Sequence, residues 1–101
     1  MADLQHLFVY GTLIDPEVQQ RIIGRLVEGT PDTLENVSKS EIKLGNNTYP
    51  ILIEAQGQIV DGHILTVTSA ELEQIDKYET DAYRRLRRQT KNGVDVWVYA
   101  K

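Results

Sequence analysis

Leu7-Phe8-Val9-Tyr10-Gly11-Thr12-Leu13 is the stretch whose reading decides the fold. Four consecutive apolar or aromatic residues, Leu7 to Tyr10, predict a buried strand over about His6 to Tyr10. The run breaks at Gly11, and Asp15-Pro16 then opens a helix. Asp15 serves as N-cap, Pro16 takes the first helical position and Glu17 falls in the first turn. A strand that stops at glycine and leads into a helix exposes unpaired backbone N–H groups at its tip, a concavity that favours a carboxylate or phosphate. The same residues also read as a tight connection with no ligand. This stretch by itself leaves both open.

Working outward, Val18, Ile22 and Ile23 form the apolar stripe of a helix over Asp15–Ile23, and Gly24 ends it. Leu26-Val27 and Leu34 to Val37 read as strand pieces around a loop at Gly29-Thr30-Pro31-Asp32. Ile42 and Leu44 lead into a turn at Gly45-Asn46-Asn47, and Tyr49 to Glu54 return from it. Gln56-Gly57-Gln58 reads as another turn, followed by a strand from Ile59 to Val67. Thr68-Ser69-Ala70-Glu71 has the capping-box pattern and opens a second helix over Ser69–Tyr78. A closing hairpin joins Tyr83–Thr90 to Val94–Ala100 through Asn92-Gly93. Short strands with two short helices predict an α+β domain built on a small barrel-like, mixed or antiparallel sheet. A length of 101 residues without linker or repeat predicts a single domain, 1–101.

Composition narrows the chemistry. The chain is 41% hydrophobic and has no cysteine, which excludes disulfides, thiolate catalysis and cysteine metal sites. His6 and His63 are far apart with no evident third ligand, so no metal is expected. No glycine-rich nucleotide-binding pattern is present. A formal charge of −4 argues against nucleic acid as partner. No apolar run reaches transmembrane length, and the acidic start Met1–His6 is unlike a secretion signal. The expectation is a cytoplasmic protein with no membrane partner.

Glu79 is the leading candidate for chemistry. Leu72, Ile75 and Glu79 stand at i, i+3 and i+7 and share one helix face. The two apolar residues mark that face as core-facing, so Glu79 points inward or into a pocket wall. A carboxylate there has a raised pKa, which suits a proton carrier near neutral pH. The alternative is a solvated glutamate past the helix end, or one paired with Arg84 or Arg85. Asp76, one turn earlier, reads as a structural group bonding nearby backbone. In Arg84-Arg85-Leu86-Arg87-Arg88, alternation sends Arg85 and Arg87 to one face and Arg84 and Arg88 to the other. A two-residue turn at Asn92-Gly93 puts Arg88 opposite Trp97, in reach of a cation–π contact. A phosphate-binding strand is the functional alternative.

Phe8-Val9-Tyr10-Gly11-Thr12-Leu13 resembles the first-strand signature of the gamma-glutamylcyclotransferase-like (AIG2-like) family. The resemblance continues in order through Tyr49-Pro50, Val60-Asp61-Gly62, and Leu72, Ile75-Asp76, Tyr78-Glu79, Tyr83 and Arg84. It implies barrel closure of the sheet and release of 5-oxoproline and a free amine from a γ-glutamyl amine or amino acid. It implies that Glu79 is the general acid/base. It also implies that Tyr10, Gly11, Thr12 and Leu13 hold the glutamyl end, largely through backbone, and that Tyr83 lines the cavity. No cofactor is implied, and the partner is a small γ-glutamyl molecule. The rival is a non-catalytic binding module of the same fold. The leaving amine and the oligomeric state stay open.

Overall fold

The computed structural model describes residues 3–79 and 83–100, with the side chains of Thr12, Ile42, Leu44, Tyr49 and Pro50 outside the described set. The elements are β1 (Leu4–Val9), a 3-10 turn (Thr12–Ile14), α1 (Pro16–Ile23), β2 (Thr30–Leu44), β3 (Asn47–Thr68), α2 (Ser69–Glu79), β4 (Arg84–Gln89) and β5 (Asp95–Ala100). The strands form one sheet in the order β2-β3-β1-β5-β4. All neighbours are antiparallel except β1 and β5, which run parallel with Phe8 opposite Val98. The fold is thus the α+β class with a curled mixed half-barrel and two helices.

Both helices form where their caps predict. Asp15 accepts from the Glu17 N–H at 2.9 Å, and α1 closes on Gly24. Thr68 and Glu71 make the reciprocal capping box: Glu71 N–H donates to Thr68 Oγ1 at 3.1 Å, and Thr68 N–H to Glu71 Oε1 at 2.9 Å. Arg25 grips the same Glu71 carboxylate at 2.6 and 2.8 Å, holding its pKa down at about 2.

The strands differ from the expectation. β1 runs Leu4–Val9 rather than His6–Tyr10. Leu26-Val27 is not a strand, and the expected loop at residues 29–32 is largely strand: β2 is continuous from Thr30. Gln56-Gly57-Gln58 does not turn the chain back; it lies inside β3. The register jumps there, from Glu35 opposite Ile59 to Val37 opposite Glu54. Asn36 (φ 62) and Gly57 (φ 83) absorb the jump, and Gly57 N–H donates to Asn36 Oδ1 at 3.1 Å. A bulge of this kind bends a strand without ending it. The bent ribbon curls toward the far edge of the sheet. Lys91 N–H donates to the Thr33 carbonyl at 2.8 Å, and the Asn92 amide donates to Asp32 at 2.9 Å.

The sheet has two packed faces. Phe8, Tyr10, Leu34, Val37, Leu52, Val60, Ile64, Val96 and Val98 fill the concave side. Leu7, Val9, Leu65, Val67, Leu72, Ile75 and Tyr99 form the convex side, under the helices. Gly62 explains its own place in the Val-x-Gly stretch. A Cβ there falls 2.3 Å from the Val9 carbonyl oxygen and 2.6 Å from the Phe8 ring, so only glycine fits between β3 and β1.

Candidate active site

Glu79 is the last residue of α2, not a residue beyond it. Leu72 and Ile75 are buried in the convex core and anchor that face. The carboxyl they carry inward is half-buried, and burial pushes its pKa from 4.5 up to about 7. It stands among aromatic hydroxyls. Tyr10 feels the charges of Tyr83 and Glu79, and Tyr99 feels Glu79 as well as Asp76. Burial raises both phenols well above their ordinary value, so both remain protonated donors.

The hydroxyls tie the site together. Tyr10 Oη donates to the Tyr99 carbonyl at 2.6 Å. Tyr99 Oη donates to Asp76 Oδ1 at 2.5 Å, and Arg85 Nε holds the same carboxylate at 3.1 Å. Asp76 is therefore bonded to side chains, not to the nearby backbone expected from the sequence. Its charge fixes Tyr99, Tyr99 fixes Tyr10, and Tyr10 opens the loop at Gly11. Tyr83 packs against the convex cluster and also lies within the field of Tyr10.

The loop is a 3-10 turn closed by Ile14 N–H donating to the Gly11 carbonyl at 3.1 Å. The N–H groups of Thr12 and Leu13 precede that first bond, the position in which a turn leaves its donors free of intraturn partners. The Thr12 hydroxyl lies outside the described residues. Gln19, which the sequence reading missed, holds the loop from behind. It is buried, its amide donates to the Leu13 carbonyl at 2.8 Å, and it accepts from Val27 N–H at 2.9 Å. A polar residue in an amphipathic helix gives no sequence signal that distinguishes this use from a solvated one.

The basic strand is largely occupied. Arg85 and Arg87 each lie over the Trp97 ring, 4.6 Å from its centroid, and Trp97 Nε1 donates to Gln5 at 3.0 Å. Arg88 pairs with Glu54 at 2.6 Å instead of meeting Trp97. The expected two-residue turn is a three-residue one. Thr90 N–H bonds the Val94 carbonyl at 2.9 Å, Gly93 takes φ 85, and the register moves by one, so that Arg87 faces Trp97. Among the described residues no group of three or more metal-ligating side chains gathers. Among them, too, no helix is long and apolar enough to cross a membrane.

The family described as "Gamma-glutamyl cyclotransferase, AIG2-like" matches the chain over residues 7–101. AIG2-like protein A of Arabidopsis thaliana is 33% identical over 84 residues, covering 82% of this chain and 50% of that protein. The chain thus spans about half the length of the curated relatives it matches. A solution structure from Arabidopsis thaliana superposes with a TM-score of 0.83 at 28% identity, over 99% of this chain and 64% of that one. The solved structure of a gamma-glutamyl cyclotransferase shares the fold at a TM-score of 0.79 and 12% identity, over 97% of this chain and 66% of that one.

Proposed function

The chain belongs to the gamma-glutamyl cyclotransferase, AIG2-like family, and from that premise we propose that it converts a γ-glutamyl amide to 5-oxoproline and a free amine. The observation that supports this reading is the Glu79 carboxyl, pushed up to about 7 and set among the tyrosines that lead to the Gly11 turn. The α-amine of the substrate attacks its own γ-carbonyl carbon, a new C–N bond closes the ring, and the original amide C–N bond breaks. Attack needs a neutral amine, so ionised Glu79 first takes a proton from the ammonium. Closing the ring frees a second proton from the attacking nitrogen; the departing nitrogen takes up this proton and the one held by Glu79 and leaves as an ammonium, with Glu79 ionised again. A group with a pKa near 7 does both without a large penalty in either direction. Ring closure is unimolecular, so the grip of the Tyr10–Leu13 turn on the glutamyl end supplies much of the rate. Donors at the turn also stand ready to stabilise the oxyanion. Tyr83 serves as wall.

The test is 5-oxoproline release from a panel of γ-glutamyl amines and amino acids, with Glu79→Gln alongside. Turnover falls by roughly 10²–10⁴-fold in the variant if the glutamate carries the proton. Ligand binding without turnover in the native protein supports the non-catalytic module, and full activity of the variant removes Glu79 from the mechanism.

A further inference from the structure

A cavity of about 390 Å³ opens on the convex side of the sheet, beside the 3-10 turn. His63 and Leu65, two positions apart on β3, share one face of that strand and form its floor. Pro16 and Gln19 of α1 line it from the helix, and Leu26 to Gly29 line it from the connection into β2. Ile14, whose N–H closes the turn on Gly11, completes the lining. The connection lies close on the floor. A Cβ at Gly29 would fall 2.8 Å from His63 Cβ and 3.3 Å from Leu65 Cδ2, so a larger residue there would crowd the cavity. Sites for small molecules run to roughly 300–1,000 Å³, and this one is inside that range.

The walls suit an apolar body. Val27 and Leu65 are buried, whereas Ile14 and Leu26 keep 38% and 61% of their surface exposed. An occupant that covers the last two removes apolar area that the fold leaves in water. The polar groups suit a cationic donor. Gln19 is already engaged, its amide donating to the Leu13 carbonyl and its oxygen accepting from Val27 N–H. Glu28 is exposed and supplies the formal charge of the lining; among the described residues no lysine or arginine joins it there. Asp15 and Glu17 flank Pro16 and are exposed too, so the field at this edge is negative. Arg25, next to Leu26 in the chain, is turned to Glu71 at 2.6 Å. The buried Nδ1 of His63 has no hydrogen-bond partner among the described residues. A bare lone pair is tolerated there better than an orphaned N–H, so this nitrogen is an acceptor as well. An ammonium meets a carboxylate and has N–H groups to spare. A carboxylate meets like charge, and a hydroxyl brings a single donor without charge.

We propose that this cavity binds a small alkylammonium ion, its apolar end between Ile14, Leu26 and Val27 and its head at Glu28. The site is separate from the Glu79 carboxyl and does not rest on the cyclotransferase reading.

Three probes of one carbon skeleton test it: 3-methylbutylamine, a cation at neutral pH, 3-methylbutan-1-ol and 3-methylbutanoate. Each is titrated into the native protein and followed by amide NMR shifts. The amine is expected to give saturable shifts at Ile14, Gln19, Val27 and Leu65. Its dissociation constant is expected to be about 3–10-fold tighter than that of the alcohol, the scale of a partly screened charge-assisted hydrogen bond, and the acid is expected to bind weakest. Glu28 is exposed, so Glu28→Gln leaves the fold intact and brings the amine to within about twofold of the alcohol. Leu26→Ser, also at an exposed position, weakens amine and alcohol alike by roughly threefold through the apolar area it removes. Equal binding of the three probes, tighter binding of the acid, or amine binding indifferent to either substitution overturns the assignment. So do shifts that fail to saturate, and saturable shifts centred on Tyr10 and Glu79 instead, which place the amine at the reaction site.

Discussion

Replacing Glu79 by glutamine stabilises the protein, and does so only above a particular pH. The carboxyl ionises near 4.5 in the unfolded chain and near 7 in the fold because burial disfavours its charge. Its folded pKa is raised, so the folded state holds the proton longer and the sign is opposite to that of a salt-bridged acid. Well below pH 4.5 the group is neutral in both states and costs nothing. Between 4.5 and 7 the unfolded chain ionises first and stability drains away. Above 7 the full cost is present. The difference between 4.5 and about 7, at ~1.4 kcal/mol for each tenfold step, sets a ceiling of about 3.4 kcal/mol. Glu79 keeps part of its surface in water, and screening reduces this to roughly 1–2 kcal/mol. Glutamine carries no such charge. At pH 8 the variant is expected to melt roughly 4–15 °C above the native protein, and at pH 3.5 the two coincide. Thermal melts by circular dichroism at pH 3.5, 6 and 8 measure the gap. A gap that stays constant with pH, or that closes as pH rises, refutes the buried-carboxylate argument.

Three further outcomes follow from packing and hydrogen bonding. Gly62→Ala drives a Cβ to 2.3 Å from the Val9 oxygen, and a loss of ~1–3 kcal/mol is expected in urea unfolding; an unchanged midpoint contradicts the close approach. Asp76→Asn removes the charged acceptor of Tyr99 and the partner of Arg85. A loss of ~1–2 kcal/mol is expected, together with a raised KM as Tyr10 loosens; a double-mutant cycle with Arg85→Gln checks that the two act through one interaction. Gln19→Leu leaves the Leu13 carbonyl and the Val27 N–H without their buried partner. It is expected to destabilise by ~2–4 kcal/mol, and melts of Gln19→Glu alongside separate the lost acceptor from the lost donor.

Local chemistry was legible in the sequence, and register was not. Asp15-Pro16 and Thr68–Glu71 place both helix starts because a cap is a contact among neighbours. The Asn92-Gly93 hairpin was also visible, but its loop holds three residues instead of two, and that single residue exchanges Arg87 for Arg88 opposite Trp97. Gly57 misled in the other direction. Glycine flanked by glutamines has the composition of a turn, yet here the long partner β2 continues on both sides and captures the irregularity as a bulge. Nothing within six residues of Gly57 reports that Asn36 waits across the sheet. The break in β2 predicted at Pro31 fails similarly: strand pairing with His63 overrides a turn-like composition.

The site shows the same limit at longer range. Along β1 the side chains alternate, so Leu7 and Val9 face the helices while Phe8 and Tyr10 face the concave core. Glu79 rides on a helix that covers the convex face. A residue on one face of a sheet meets a residue on the other only where a strand ends, and β1 ends at Val9. Parallel pairing with β5 sets Phe8 opposite Val98, so Tyr10 falls level with the last residues of β5. There Tyr99 serves both faces at once, its carbonyl holding Tyr10 and its hydroxyl holding Asp76 of α2. These bonds join residues 89 and 23 positions apart. Helical periodicity gave Glu79 its inward direction, and the strand-to-glycine break gave the turn its donors. That Tyr10 comes within the field of Glu79 depends on β5, which the sequence offered only as the second half of a hairpin.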